Sequence, residues 1–364
     1  MAPPMSEPVT LEGPVLVVGA GLLGTSIGLA LRRRGVDVWF RDVSTENLRT
    51  ALGLGAGQLS PDIAPPPQLV VVAVPPNVIG ETLRWALTHH PKAVVTDVGS
   101  IKTGPLEKLR AYGLAGLSRY VGGHPMAGSE RSGPLAATAA LFEGRPWAVT
   151  PHVHSDPDAV HLVEELARLC GAEPVRLTPV EHDRAVARTS HLPHLLAVLT
   201  AGQLAEAQPE HLSLSGQGVR DVTRIAAGDP DMWTQILRAN QVAVGEILRD
   251  VQTDLARLVD VLAYGDPAML AEILTRGVAG TRAIPGKHGG PALATASVFV
   301  SVPDHPGELA RLFADVGDIE VNIEDLYIDH DPGRPVGLVE LTVEEGSADH
   351  LLDALESRGW VTHR

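Results

Sequence analysis

Apolar positions fall into two textures along the chain. Toward the N-terminus they form short continuous runs: Val15 to Val18, Val36 to Phe40, LVVVAVPP from Leu69 to Pro76, and AVVTDVGS from Ala93 to Ser100. Continuous β-branched runs of this length predict strands buried on both faces, as in a parallel sheet. Between the first two, Ile27, Leu29, Ala30 and Leu31 lie at helical spacing before Gly35, and RPWAVTPH around Trp147 to Pro151 predicts one further strand. Strand alternating with helix predicts an α/β domain, a doubly wound parallel sheet over residues 13–179 after a disordered segment 1–12.

From about Val180 the strand-like runs stop. VARTSHLPHLLAVLTAGQL, ILRANQVAVGEILRDVQTDLARLVDVL and DPAMLAEILTRGV carry apolar residues three and four apart. They predict an all-α domain over 180–284, whose apolar stripes are expected to be covered in part by a second copy of the chain. A linker is expected over 285–294, within the glycine- and proline-rich IPGKHGGPALATA. Residues 295–364 then read as strand, helix, strand (Val321 to Ile328), strand and helix, a small α+β domain.

Composition narrows the function classes. The 364 residues are 44% apolar and 20% charged, with a formal net charge of −15. No basic run exists to replace phosphate counterions, so nucleic acid is not expected as a partner. An anionic substrate would need arginines or helix N-termini gathered locally. Cys170 is the sole cysteine, which leaves no thiolate cluster for zinc and no internal disulfide. MAPPMSEPVT does not have the form of a signal peptide, and no apolar run reaches membrane-spanning length, so a cytoplasmic protein with no membrane partner is expected.

The most informative local motif is GAGLLG, Gly19 to Gly24, directly after the first strand and opening a helix, with Asp42 at the end of the second strand. These glycine spacings permit a tight turn, close approach of backbone to a pyrophosphate and close helix–strand packing, while the helix N-terminus faces the phosphates. The arrangement predicts a Rossmann-type domain in which Gly19, Gly21, Leu22, Leu23 and Gly24 hold a dinucleotide. Asp42 stands where a carboxylate accepts from the adenosine ribose, favouring NAD over NADP, although Arg41 beside it could instead pair with a 2′-phosphate. The loops after the next strands, with Val74 and Pro75 and with Asp97 and Ser100, are expected on the same rim. Asp97 and Ser100 could equally be caps of the helix after Ile101.

Several chemically capable residues lie further on. In YVGGHPMAGSE, His124 follows two glycines and precedes Pro125, which predicts a histidine held on a loop rather than a regular element. His191 and His194 straddle Pro193, which is expected to start or kink a helix; without a matching carboxylate they do not make a metal site. Arg220 and Arg224 are one helical turn apart with Asp221 between them, either a solvated face with a local ion pair or an anion site.

Taken in order, GAGLLGTS, TDVGSIK, GGHPMAGSE, SHLPH and RDVTRIAAGDPDMW resemble the prephenate dehydrogenase family of tyrosine biosynthesis over roughly residues 14–285. The resemblance implies an NAD-binding domain, a helical dimerisation domain forming a homodimer, and an active site in the cleft between them. It implies that His124 is catalytic, that Ser100 contacts both it and the nicotinamide region, and that Arg224 holds a substrate carboxylate. His191 and Glu130, with Ser129 and Arg220, are implied around the substrate prephenate. The reaction it implies passes hydride from C4 of prephenate to NAD with loss of CO₂, and no metal is required. A neutral histidine suits acceptance of the 4-hydroxyl proton, the glycines making room for the substrate, and arginine suits the carboxylates. VPDHPGELARLF and VNIEDL resemble the ACT (ferredoxin-like) domain, which implies an effector site near Asp304, His305, Pro306, Gly307 and Asn322, with tyrosine as effector.

Other readings are an arogenate dehydrogenase, sharing the same chemistry, and an amino-acid-sensing binding protein on an inactive scaffold. A β-hydroxyacid dehydrogenase would call for a lysine on a middle helix, and the helical runs are poor in lysine.

Overall fold

The computed structural model describes residues 10–61, 65–113, 115–128, 132–284, 294–330 and 336–364. They form two compact units, Met1–Ala256 and Arg257–Arg364.

The first unit opens with β1 (Val15–Val18), α1 (Leu22–Arg33), β2 (Val38–Arg41), α2 (Thr45–Gly53), β3 (Gln58–Leu59), β4 (Leu69–Val72), α3 (Ile79–His89), β5 (Val94–Asp97) and α4 (Thr103–Ala111). The five strands are parallel in the order β3-β2-β1-β4-β5. Both sheet faces are covered, as all-apolar strands demand. Ile27, Leu31 and Ala51 of α1 and α2 pack on one face, and Leu83, Leu87, Leu106 and Leu109 of α3 and α4 on the other. Strand order reverses between β1 and β4, which opens a crevice at their carboxyl ends.

A second sheet contains β6 (Gly122–Pro125), β7 (Pro146–Thr150) and, after α5 (Pro157–Leu169), β8 (Glu173–Arg176). β6 runs antiparallel to β7, and β7 parallel to β8. An isolated bridge from Val95 to Tyr120 ties it to β5. The expected disordered start over 1–12 is corrected for residues 11 and 12: Leu11 is buried, its N–H donates to Glu165, and the N–H of Glu12, like that of the adjoining Gly13, donates to the Gln68 side chain.

Helices follow: α6 (Pro179–Val186), a π turn over Ala187–His191, α7 (Leu192–Ala205), α8 (Pro209–Leu212), α9 (Gln217–Arg224), α10 (Pro230–Ala239) and α11 (Gln241–Tyr264). The side chains of Thr178 and Glu181 close a capping box at the start of α6. Pro193 stands in the first turn of α7, as expected, and the π turn directly before it interrupts the helical run there. The long apolar run through Ile236 to Leu262 is divided at Asn240, between α10 and α11.

The second unit holds α12 (Pro267–Arg282), β9 (Thr295–Pro303), α13 (Glu308–Asp318), β10 (Asp325–His330), β11 (Val336–Glu344), α14 (Glu345–Ser357) and β12 (Val361–His363). Its antiparallel sheet has the order β10-β11-β9-β12. Val298, Val300, Val302, Val339 and Leu341 face Leu312, Val316, Leu351 and Leu355 of the two later helices. This is the ferredoxin-like α+β arrangement, with a fourth strand that three residues after Trp360 were too short to announce. The strand expected from Val321 begins at Asp325. Among the described residues no helix is long and apolar enough to cross a membrane, and no cluster of His, Cys, Asp and Glu could hold a metal ion.

Candidate active site

The glycine loop between β1 and α1 is shaped for a pyrophosphate. Gly19 adopts φ 110°, and a Cβ there would lie 2.2 Å from the Ala73 carbonyl oxygen. A Cβ on Gly24 would lie 2.0 Å from the Gly19 oxygen, so helix and loop touch where only hydrogen fits. Gly21 is the opposite case: a Cβ there meets nothing within 4 Å. Open space therefore lies in front of α1, whose first turn bears no acidic residue and whose unpaired N–H groups, beginning at Leu22 and Leu23, attract an anion. Val74 packs beside Gly19, and Pro75 is exposed on the adjoining rim. The Asp42 carboxylate accepts from the N–H groups of Ala20 (2.5 Å) and Ser44 (2.6 Å), which fixes it at the mouth of the loop. The Arg41 guanidinium lies 5.0 Å from the centre of the Trp85 ring. The residues present thus fit a dinucleotide.

Asp97 does not face the cofactor rim as expected. Asp97 is fully buried; its carboxylate pairs with Lys102 Nζ and accepts from the Tyr120 hydroxyl at 2.9 Å and the Gly99 N–H at 3.0 Å. It is a core ion, not a cofactor contact, and it does not cap α4. That cap comes from Asp183 of α6, whose oxygens accept from the N–H groups of Lys102 (2.8 Å) and Thr103 (2.9 Å). Ser100 lines a cavity of about 170 Å³ with Pro76, Ile79 and Lys108, and among the described residues it makes no hydrogen bond to His124.

His124 lies on β6, not on a loop, paired opposite Ala148. The glycines before it serve the core rather than a ligand. A Cβ on Gly122 would meet Thr150 Oγ1 at 2.5 Å, and one on Gly123 the Asp97 carbonyl at 2.9 Å and Trp147 Nε1 at 3.0 Å. Lys102 Nζ donates to the Gly123 carbonyl at 2.7 Å, fixing the backbone next to the histidine. The imidazole is half-buried, and its Nδ1 lies 2.9 Å from Nε2 of the buried His182. His182 Nδ1 in turn lies 2.8 Å from Asp183 Oδ1. Burial, followed by the proximity of His182, Lys102 and His191, pushes the His124 pKa well below its ordinary 6.5. Burial alone would raise the Asp183 carboxyl, but hydrogen bonds from His182, Thr103 and Lys102 outweigh it and hold the pKa below the usual value. The resulting pair of states is a neutral His124 backed by an anionic Asp183.

His191 ends the π turn and is buried; its Nδ1 lies 3.2 Å from Asn240 Nδ2, which also donates to the Asp183 carbonyl at 2.8 Å. Burial lowers its pKa to about 4. The Trp233 indole stands edge-on to His191 and stacks flat on His194 at 3.6 Å between ring centres. Gly228 allows this, since a Cβ there would lie 2.5 Å from Trp233 Nε1. The Ile225 backbone, one residue past Arg224, hydrogen-bonds His194. Arg220 and Arg224 are exposed on α9, and neither makes an ion pair among the described residues. Asp221 accepts instead from Gln217 at 3.0 Å.

The structure thus brings His124 and His191 into one network, ties α9 to its edge, and sets Asp97 behind it. Ser129 and Glu130 lie outside the described residues. Asp304 to Gly307 form an exposed turn between β9 and α13, and Asn322 is exposed with its amide 2.6 Å from Glu324 Oε1. Sequence reading missed His182, Asp183, Asn240, Trp233 and Lys102. The adjacent His-Asp pair behind the α6 capping box was the one local sign.

Residues 27–176 match the family model described as prephenate dehydrogenase, nucleotide-binding domain, and residues 178–276 that described as prephenate dehydrogenase, dimerization domain. Over 359 residues the chain is 38% identical to a probable prephenate dehydrogenase of Streptomyces niveus, spanning 95% of this chain and 98% of that one. It is similar to the crystal structure of prephenate dehydrogenase from A. aeolicus in complex with hydroxyphenyl propionate and NAD⁺, with TM-score 0.66 and 28% identity, covering 76% of this chain and 99% of that one. The corresponding values for Synechocystis arogenate dehydrogenase are 0.65, 27%, 73% and 98%.

Proposed function

The chain belongs to the prephenate dehydrogenase family, and on that premise we propose how its own residues carry the reaction. It is an NAD-dependent oxidoreductase that converts prephenate to 4-hydroxyphenylpyruvate and CO₂. Bound NAD supplies the nicotinamide that accepts hydride from C4. The α1 N-terminus and the loop through Gly19, Gly21 and Gly24 bind the pyrophosphate, and Asp42 binds the ribose hydroxyls. His124 takes the 4-hydroxyl proton at Nε2 as hydride leaves C4. The ring carboxylate then departs as CO₂, its electron pair completes the aromatic ring, and the phenolic oxygen recovers a proton.

The observation that supports these roles most is His124 itself: neutral, half-buried, and with Nδ1 engaged so that Nε2 is the nitrogen left for substrate. Arg224 grips a substrate carboxylate, and Arg220 adds charge one turn away. Two guanidiniums without an ion pair among the described residues, in a chain of net charge −15, are the expected form of an anion site. His191 and Trp233 form the pocket wall. Ser100 contributes at the nicotinamide side, and substrate roles for Ser129 and Glu130 rest on the family resemblance alone.

The protein acts as a homodimer through its helical region, in keeping with the dimerization-domain match. It works in the cytoplasm, and the C-terminal unit is an ACT domain that binds tyrosine at Asp304–Gly307 and Asn322. Arogenate is the second reading, favoured by the similarity to Synechocystis arogenate dehydrogenase. NADH formation with prephenate and with arogenate, each with and without tyrosine, tests all of this. Turnover of prephenate suppressed by tyrosine is expected. Turnover of arogenate alone would replace the substrate, and tyrosine inhibition surviving Asn322→Ala and His305→Ala would remove the effector site.

A further inference from the structure

Three consecutive groups, His124, His182 and Asp183, form a hydrogen-bonded chain whose direction is fixed at one end. An ionised carboxylate only accepts, and Asp183 already accepts from two backbone N–H groups at the start of α4. The 2.8 Å contact therefore places a proton on His182 Nδ1. A neutral imidazole then presents Nε2 as an acceptor, and the 2.9 Å contact to His124 Nδ1 requires the proton to sit on the His124 side. It follows that the second nitrogen of His124, Nε2, carries no proton. We propose that His182 and Asp183 are positioning residues that set the tautomer of His124, so that its Nε2 faces the substrate hydroxyl as a ready acceptor.

The chain also acts after the proton has moved. With protons on both nitrogens, His124 is a cation whose Nδ1–H still points at His182 Nε2, backed by the Asp183 anion. No atom has to turn between the two states. Burial works against that cation, so the compensating charge has to lie along the same line. The other groups facing His124 do not perform this task. Lys102 is a donor held by Asp97, with Tyr120 on the far side of that carboxylate, and His191 is bonded to Asn240. Asn240 also donates to the Asp183 backbone carbonyl, which fixes the α6 residue that carries the carboxylate.

The inference rests on the assignment of His124 as the acceptor in prephenate oxidation, and its test separates the two. In Asp183→Asn the amide oxygen, held at the Oδ1 place, still accepts from the Lys102 N–H and from His182 Nδ1, but the negative charge is gone. That removes the anion which compensates the His124 cation, and it leaves the neutral tautomers in place. The kcat is expected to fall on the order of 10²–10⁴-fold with KM for prephenate and NAD changed no more than about threefold. His182→Gln, whose amide can accept from His124 and donate to Asp183, is expected to retain within about tenfold of kcat, whereas His182→Leu falls on the order of 10²-fold or more. ¹⁵N spectra of the histidine-labelled full chain at neutral pH read the tautomer directly, without turnover. Protonated Nδ1 and bare Nε2 on His124 are expected in the wild type, and a mixture of the two tautomers in His182→Leu, where the acceptor for Nδ1–H is gone. A wild-type His124 protonated on Nε2 overturns the inference, as does equal loss in the Gln and Leu variants. Should Asp183→Asn not fold, the wild-type spectrum and the two His182 variants decide. A wild type silent on prephenate but showing the expected tautomer would instead count against the substrate.

Discussion

In the proposed reaction the glycine loop and the histidine chain both present a group to a partner, and they do so by opposite means. At the loop the backbone is left vacant: space opens at Gly21, and the first-turn N–H groups of α1 have no partner within the helix. In the histidine chain nearly everything is satisfied: Asp183 accepts three hydrogen bonds, His182 makes two, and Asn240 closes the far side. One nitrogen of His124 remains. A vacant site is sensitive to volume, and a saturated one to the direction of each donor. The arginines of α9 belong to the vacant kind, since among the described residues neither makes an ion pair.

Volume at the loop gives the largest expected effect. Gly24→Val would drive side-chain carbons into the Gly19 carbonyl, already only 2.0 Å from a bare Cβ. NAD affinity should fall more than about 100-fold and stability by about 3 kcal/mol, read by NAD titration and chemical denaturation. Retained affinity would break the contrast at the loop. Arg224→Leu should raise KM for prephenate on the order of 100-fold while kcat changes only a few-fold, because the lost pairing is made in ground and transition state alike. An unchanged KM would remove Arg224 from the carboxylate.

Acid should unlock the histidine cluster before the rest. The folded pKa of His191, about 4, lies below the unfolded value near 6.5, so between these pH values the unfolded chain binds the more protons. Stability from this group is therefore full above pH 6.5 and falls as pH drops toward 4, by about 2 kcal/mol at pH 4.5. His124 acts in the same direction. Denaturation at pH 7 and 4.5 measures it, and His191→Asn should flatten the difference; an identical slope would contradict the assignment. The smallest effect sharpens the loop: Asp42→Ala should cut the NAD-over-NADP preference in kcat/KM by about tenfold. No change would show that Arg41, rather than Asp42, decides the cofactor.

How much of this could be read in advance follows the same division. The cofactor loop is local, Gly19 to Asp42 within one strand–helix–strand unit, and spacing alone gave its geometry. The ferredoxin-like unit was legible for the same reason, apart from the short β12. His124 and His191 were visible as motif residues, but their partners were not. His182 is 58 positions from His124, and Asn240 is 57 from Asp183. Asp97 misled because an acid at a strand's carboxyl end looks alike whether it faces the crevice or the core. Lys102, reaching back five positions, decides it. The glycines before His124 misled likewise: their bareness admits Thr150, Trp147 and a backbone carbonyl, which no periodicity encodes.

Proton acceptance by His124 is the central claim, and turnover of His124→Asn with prephenate and NAD tests it most directly. Asparagine keeps a polar group at the position but cannot take up the proton. The kcat should fall on the order of 10²–10⁴-fold with KM for prephenate within about threefold of wild type. Turnover close to wild type would contradict the account, and with it the purpose assigned to the chain of groups behind His124.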